Sequence, residues 1–256
     1  MKSVDLNCDL GESFGRYTLG LDDQVIPLIS SANIACGFHA GDLHTMADSV
    51  LLCKNSKVSL GAHPGYADRE NFGRTAIETK PGEVYDLMLY QLGALSALAC
   101  AKGLKLSHVK PHGALYNAAA KNRELAIEVV EAIKDFDSNL ILLALSGSEM
   151  INEAKSRGLK YASEVFADRA YEADGSLRKR SLPGSMIEDE NEAMERVIKM
   201  ITDGKVKAYT GEQIEIEAHS VCVHGDGAKA LDFVKRLNEA FVKSGIEKAP
   251  LSEVIK

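Results

Sequence analysis

The feature that most constrains this fold is a regular alternation of short β-like runs with longer helical patterns. Apolar runs predict strands at 4–8, 32–36, 58–62, 107–110, 140–145, 161–166 and 220–223. Apolar residues recurring at three- and four-residue intervals predict helices near 42–54, 81–102, 123–136, 148–157, 188–202 and 227–243. Such alternation is typical of a mainly parallel sheet covered by helices.

The residues that end and connect these elements indicate a single domain. Glycines follow four of the helical patterns, as left-handed helix caps do, at Gly103, Gly158, Gly204 and Gly245. The segment 205–217 breaks the alternation and predicts a small hairpin around Thr210-Gly211. There is no linker rich in Pro, Gly or Ser and no internal repeat, so we expect a single domain over 1–256.

The period-two phase of the strands favours a closed barrel over an open, doubly wound sheet. On the first strand Asp5, Asn7 and Asp9 share one face, and apolar residues occupy the other. The corresponding faces of later strands carry Ser59, Gly61 and His63, then His108, Lys110 and His112, then Ser220, Cys222 and His224. An open sheet between two helix layers needs both faces apolar, whereas a polar face can point into a barrel.

Composition excludes several classes of protein. The chain has 256 residues, of which 45% are hydrophobic, and a net charge of −7, so disorder and a phosphate-binding nucleic-acid surface are not expected. The five cysteines are dispersed and form no CxxC pair, which is typical of reduced thiols rather than a zinc ribbon or a disulfide framework. No signal peptide and no apolar run near the roughly 20 residues of a membrane span is visible, so we expect a cytoplasmic protein without membrane or nucleic-acid partners.

Ionisable residues gather where the predicted strands end, which is where parallel α/β proteins build active sites. The candidate catalytic residues in these positions are Asp9, His63, Lys110, His112, Glu164 and His224. Such a set can act as general acids and bases beside a lysine that balances negative charge. It can alternatively bind a divalent metal, although no HExxH or other tight ligand spacing favours that interpretation.

Further polar residues near the same strand ends are candidates for substrate binding. They are Asn7, His39, Asp42, Arg169 and Asp226. Arg169 opens a polar loop over 168–187, and loops of that length in compact domains are usually lids or binding loops. Its guanidinium could bind a carboxylate or a phosphate. The glycine-rich stretch 9–15 matches neither GxGxxG nor GxxxxGK[ST], so it specifies no nucleotide site by itself.

Six sequence blocks, in this order, resemble the LamB/YcsF family. They are DLNCDLGESFG, SANIACGFHAGD, GAHPGY followed by FGR, VKPHGALYN, EVFADRAY and CVHGDG, and they extend from about residue 4 to residue 230. The resemblance implies an α/β fold, a single seven-stranded parallel (β/α) barrel of the glycoside hydrolase/deacetylase type. That expectation agrees with the seven strands predicted above.

The resemblance also implies an activity. Family members are regarded as the A subunit of a 5-oxoprolinase, which opens the lactam 5-oxo-L-proline to L-glutamate while ATP becomes ADP and phosphate. Subunits B and C are the implied partners, and Mg²⁺ could accompany the ATP. The resemblance assigns no roles to individual residues and does not place ATP on this polypeptide or on its partners.

Two other functions stay open at this point. Barrels of related shape include metal-dependent deacetylases of carbohydrate amides, which use Asp and His ligands at strand ends. The chain could also be a non-catalytic lactam-binding subunit whose partners perform all of the chemistry.

Overall fold

The computed structural model describes residues 2–224 and 228–255. The strands are β1 (Lys2–Leu10), β2 (Ser31–Ala35), β3 (Ser59–His63), β4 (His108–Val109), β5 (Ile141–Leu145), β6 (Lys160–Phe166), β7 (Lys205–Lys207), β8 (Gln213–Glu215), β9 (Ser220–His224) and β10 (Ile246–Lys248). The helices are α1 (Asp22–Val25), α2 (Leu43–Ser56), α3 (Glu83–Ala101), α4 (Gly113–Ala119), α5 (Arg123–Phe136), α6 (Glu149–Arg157), α7 (Glu190–Asp203), α8 (Ala228–Lys243) and α9 (Leu251–Val254), with a 3₁₀ turn at Ile26–Leu28.

Within these ranges, seven parallel strands close into a barrel. Its order is β1-β2-β3-β4-β5-β6-β9, and β9 pairs with β1 to complete the ring. Strand β10 pairs in parallel with residues 2–4 at the amino-terminal end of β1, while β7 and β8 form a separate antiparallel pair. The closed parallel (β/α) barrel expected from the strand phase and from the family resemblance is confirmed, and so is the hairpin expected over 205–217.

The two faces of β1 show why the barrel closes. Val4, Leu6 and Cys8 are fully buried in the apolar layer between the strands and the helices. Asp5 and Asn7 point the other way and are also fully buried. Asp5 accepts hydrogen bonds from Ser30 and Ser31 on the β2 side and from Ser220, its register partner on the neighbouring strand β9. The interior is therefore a hydrogen-bonded polar column, which an open sheet could not have enclosed.

Helix α3 is long and apolar enough to cross a membrane by length and composition. Its fully buried side chains, Val84, Met88, Leu92, Leu95 and Ala99, belong to the main hydrophobic core. The spacing of these residues along the helix is the three- and four-residue pattern of a single buried face. The pattern is that of a core helix.

The predicted elements match the observed ones closely, with differences at the ends. The four predicted glycine caps all adopt positive φ angles, between 65° and 72°. Strand β4 is shorter than the predicted 107–110, and the sequence analysis did not anticipate α1, α4, β10 or α9. The last two elements have three and four residues, too few to show periodicity, yet Leu251 of α9 packs against Ile141 and Leu143 as a second small core.

Asp5 should make the stability of the protein depend on pH. Burial raises the pKa of Asp5 from 3.8 to about 6, although the three serine hydroxyls oppose the shift. Because the folded chain then binds this proton more tightly than the unfolded chain, the free energy of unfolding falls as pH rises through this window. A shift of this size corresponds to about 3 kcal/mol.

The free energy of unfolding of the wild type should fall between about pH 4 and about pH 7, and that of Asp5→Asn should not show this fall. The difference between the two should therefore shift in favour of Asp5→Asn by up to about 3 kcal/mol across this range. Urea unfolding curves across this range measure the difference. The exposed Asp23→Asn is the matched control and should follow the wild type. If the free energy of unfolding varied with pH in the same way for the wild type and Asp5→Asn, Asp5 would have the same pKa in the folded and unfolded chain, which would contradict the prediction.

Candidate active site

A cavity of about 630 Å³ opens at the carboxyl ends of the barrel strands. Asp9 from β1, His63 from β3, and Lys110 and His112 from the segment after β4 form its floor. Glu12 contributes a second carboxylate from the loop that follows β1. Residues from separate blocks of the chain therefore meet at one point because parallel strands all end on the same side.

Lys110 is the centre of the floor. Its Nζ lies 2.9 Å from Asp9 Oδ1 and 2.7 Å from Glu164 Oε1. It also lies 3.2 Å from Asn7 Oδ1 and 3.2 Å from the Cys222 Sγ. Burial disfavours the charged ammonium, but the negative charge of Asp9 and Glu164 reverses that effect, and the pKa of Lys110 lies well above its usual value. Lys110 is therefore a buried cation that joins two carboxylates.

His63 and His112 face each other across the floor. The Nδ1 of His63 is 2.7 Å from the carbonyl oxygen of Lys110, and the Nε2 of His112 is 2.8 Å from that of Phe72. A carbonyl oxygen only accepts, so both of these ring nitrogens carry hydrogen. The other two nitrogens, His63 Nε2 and His112 Nδ1, lie 2.9 Å apart. Burial, reinforced by His63, lowers the pKa of His112 to about 3.

His39 lies behind this pair. Its ring stacks on that of His112, with centroids 3.7 Å apart and planes 4° from parallel. It is fully buried, and neither ring nitrogen has a hydrogen-bond partner among the described residues. Burial and the neighbouring histidines hold the pKa of His39 well below its usual value. The Nε2 atom is 3.9 Å from Glu12 Oε1.

Two glycines allow the histidine rings to pack this closely. A Cβ at Gly65 would lie 2.8 Å from His39 Nδ1, and one at Gly73 would lie 2.7 Å from the Cβ of His39 and 2.9 Å from His112 Cδ2. Gly73 also has a φ of 62°, which side-chain-bearing residues rarely adopt. The GAHPGY and FGR blocks therefore fix the positions of the imidazole rings through their glycines.

A polar layer below the floor holds Asp9 in place. Asn33 donates to Asn7 Oδ1 and to Asp9 Oδ1, each at 2.8 Å. His108 Nε2 in turn lies 2.8 Å from Asn33 Oδ1. The strand register places Gly61 between Asn33 and His108, so the imidazole crosses the space that a side chain on β3 would fill. A Cβ at Gly61 would lie 2.0 Å from His108 Nε2.

The rim of the cavity is strongly basic. Its cationic residues are Arg74, Lys121, Arg169, Lys179 and Arg180. Among the described lining residues the acidic ones are Asp9 and Glu12, both on the inner side of the cavity. Arg169 is buried, donates to the Arg178 carbonyl at 2.6 Å, and has a buried Nε without a hydrogen-bond partner in the described part of the chain. The cavity thus combines acid–base groups at its base with positive charge at its mouth.

The structure separates the predicted catalytic residues by depth. Asp9, His63, Lys110 and His112 line the cavity. Glu164 does not, because it lies fully buried below Lys110, where the Tyr116 hydroxyl donates to it at 2.6 Å. It therefore positions Lys110 and is not exposed to a ligand. His224 ends β9, but its side chain lies outside the described residues.

The predicted substrate-binding residues are separated as well. Arg169 lines the cavity, whereas Asn7 and His39 are fully buried beneath or behind its walls. Asp42 is the N-cap of α2, where it accepts from the backbone amides of residues 44, 45 and 15. These backbone hydrogen bonds lower the pKa of Asp42 to about 2. Asn7, His39 and Asp42 therefore do not line this cavity, and Asp226 lies outside the described residues.

Three residues of the site were missed as candidates by sequence reasoning. Glu12 lines the cavity, Tyr116 bonds to Glu164, and Cys222 contacts Lys110. Glu12 lies in the same glycine-rich block as Asp9, and Cys222 shares the inward phase of its strand, so both carried a signal. Tyr116 lies in the block VKPHGALYN with Lys110 and His112, but its position on the short helix α4 did not indicate a contact with Glu164.

Fold and site together define the class of protein: a seven-stranded parallel (β/α) barrel with acid–base groups gathered at the carboxyl ends of its strands. A family model described as the LamB/YcsF family matches residues 4–256. The chain belongs to this family.

Relatives and solved structures agree with that assignment. A protein of Clostridium beijerinckii, named as the A subunit of 5-oxoprolinase, is 56% identical over 99% of this chain and 100% of its own length. One of Pyrococcus abyssi with the same name is 53% identical over 98% and 99%. The crystal structure of a lactam utilization protein from Thermus thermophilus matches with a TM-score of 0.91 and 44% identity, covering 96% of this chain and 99% of that one.

A more distant likeness concerns the fold alone. A T48 deacetylase matches with a TM-score of 0.50 at 11% identity, covering 99% of this chain and 90% of that one. The barrel fold is thus shared with a protein of very different sequence.

The contact across Gly61 generates a stability prediction. Gly61→Ala should lower the free energy of unfolding by about 3 kcal/mol or more, because the new methyl group overlaps the buried His108 ring. Urea unfolding measures the loss. The matched control is Gly93→Ala in α3, where no atom of the described residues beyond the adjoining helix backbone lies within 4 Å of the added Cβ. That variant should gain about 0.5–1 kcal/mol through helix propensity. Equal stability of the two variants would contradict the close packing of the His108 ring over Gly61.

Proposed function

We propose that this chain is the A subunit of an ATP-dependent 5-oxoprolinase, which hydrolyses the lactam of 5-oxo-L-proline to L-glutamate. One observation carries the proposal: a single cavity joins a floor of Asp9, Lys110, His63 and His112 to a rim of arginines and lysines. The relatives named as this subunit of 5-oxoprolinase cover essentially the whole chain and support the same activity.

The chemistry of the lactam explains why both parts of the cavity are needed. A five-membered lactam is an unstrained amide with a poor leaving group, so water attacks it slowly. Transfer of the terminal phosphoryl group of ATP to the lactam oxygen, with ADP as the leaving group and the N–H proton passing to a base, would give an imidate-like phosphate. Water could then attack its carbon, and phosphate would leave as the ring opens. The site must then hold the substrate carboxylate, balance phosphate charge and accept a proton from the attacking water.

Asp9 is the best placed group to accept that proton. Its Oδ1 is held by Lys110 and Asn33, while its Oδ2 lies 3.4 Å from His63 Nε2 at the cavity floor. A carboxylate fixed in this way is oriented before substrate arrives. Lys110 places a positive charge beside the reacting atoms, and His112 lies next to His63 where it can orient water or the lactam nitrogen.

The basic rim supports binding of the negatively charged parts of both substrates. Arginine forks suit a carboxylate or a phosphate, and the rim carries three arginines and two lysines. A cavity of about 630 Å³ falls within the roughly 300–1,000 Å³ of small-molecule sites. The proposed substrates are therefore 5-oxoproline at the floor and the phosphates of ATP, with their Mg²⁺, toward the rim.

The proposed partners are subunits B and C of the same enzyme. We expect negligible 5-oxoproline hydrolysis by the isolated chain, and equimolar glutamate and ADP when B and C from the same organism are added. Coupled assays of both products provide the measurement. Rapid turnover by the chain alone would remove the partner requirement, and glutamate without ADP would remove the ATP requirement.

The floor residues generate a second test in the reconstituted complex. Asp9→Asn and His112→Asn should each lower turnover by roughly 10²-fold or more, the usual scale for a lost acid or base. Exposed matched controls are Asp23→Asn and His44→Asn, which should keep wild-type turnover. Circular dichroism and thermal unfolding confirm that each variant folds. Near-normal turnover in both floor variants would instead indicate a chain that binds the lactam without catalysis.

A further inference from the structure

The histidine cluster at the cavity floor has the arrangement of a metal site. One donor atom from each of Glu12, His39, His63 and His112 lies within 4.8 Å of the donor atoms of the others. We propose that His63, His112 and Glu12 bind one first-row divalent transition-metal ion, with His39 as a hydrogen-bonding neighbour of a water on that ion. Two imidazoles and one carboxylate on one side of an ion leave further positions open for water or substrate.

The outer nitrogens of His63 and His112 support this assignment. Metal-binding histidines typically donate the other ring N–H to a carboxylate or a backbone carbonyl, which fixes the tautomer and aims the lone pair at the ion. His63 Nδ1 and His112 Nε2 are both committed in this way, at 2.7 Å and 2.8 Å from carbonyl oxygens. In the neutral rings the two inner nitrogens therefore present lone pairs toward each other, so either a proton or a metal ion must lie between them.

The distance between these nitrogens fits two neighbouring ligands of one ion. With metal–nitrogen bonds of roughly 2.1 Å, ligands at right angles lie roughly 3 Å apart. The observed separation is 2.9 Å. A single shared proton would also span this gap, but it would leave both ring nitrogens of His39 buried without a hydrogen-bond partner among the described residues.

His39 distinguishes the metal ion from the shared proton. Its two nitrogens are fully buried without a hydrogen-bond partner among the described residues, which is costly for a polar ring. Because His39 is stacked parallel to His112, an ion in the plane of His112 lies outside the plane of His39. A water bound to the ion can bridge to His39, and Glu12 Oε1 lies 3.9 Å from His39 Nε2 on the same side.

The charge at the floor and directly beneath it also favours a dication. Asp9, Glu12 and Glu164 bring three carboxylates together with one ammonium, that of Lys110. An ion bound here would lie beside Asp9 and could lower the pKa of its water toward neutrality. The site does not rest on the proposed function, because metal binding can be measured on the isolated chain without any partner or substrate.

The experiment is a titration of the chelator-treated full chain with Co²⁺ and, in parallel, with Zn²⁺. We expect one equivalent to bind, with visible Co²⁺ absorption bands, and a gain in thermal stability. His63→Gln, His112→Gln and Glu12→Gln should each weaken binding by at least the roughly 10–100-fold that the loss of an outer-shell partner costs. The exposed His44→Gln and Glu70→Gln are the matched controls and should bind like the wild type.

Imidazole ¹⁵N NMR of the metal-free and metal-loaded chain completes the test. The proposal predicts that metal addition shifts His63 Nε2 and His112 Nδ1, and thermal unfolding of each metal-free variant shows that it folds. Absence of stoichiometric binding by the wild type, or equal binding by ligand and control variants, would overturn the proposal. Either result would leave the proposed oxoprolinase activity standing, since that is measured separately in the reconstituted complex.

Discussion

The buried ammonium of Lys110 is the interaction on which the rest of the site depends. A charge removed from water is tolerated only when it is paired and hydrogen-bonded, and Lys110 satisfies this by contacting Asp9 on β1, Glu164 on β6 and Cys222 on β9. One cation therefore connects three strands of the ring near its carboxyl end. The same contacts fix the direction of the Asp9 carboxylate, so the packing of the barrel and the geometry of the proposed reaction share a single origin.

Close packing of the strand-end loops supplies the second constraint. His39 follows β2, His63 ends β3 and His112 follows β4, yet their rings are in mutual contact. Contact this close is compatible only with glycine at Gly65 and Gly73, whose backbones approach the rings. Function at this site thus depends on residues that carry no chemistry of their own, and a change at either glycine would move the imidazoles.

Much of the fold was predictable because burial imposes a period on the sequence. The alternation of Asp5, Asn7 and Asp9 with apolar residues identified the inward face of β1, and the structure confirms it. Short elements such as α9 escaped because four residues show no period. The capping role of Asp42 was not predicted for a related reason: an aspartate at a strand end and an aspartate that begins a helix occupy the same position in a βα unit, and only the backbone amides around it show that it is a cap.

The sequence by itself determined the order of strands and helices, the phase of each strand and the set of ionisable groups at the barrel mouth. These follow from local patterns, since hydrophobic period and strand ends are properties of neighbouring residues. Tertiary structure alone decided which of those groups reach the cavity. Depth along the barrel axis depends on the register between strands, which places Glu164 beneath Lys110, sets His39 behind His112 and leaves Asp9, His63, Lys110 and His112 at the surface of the floor.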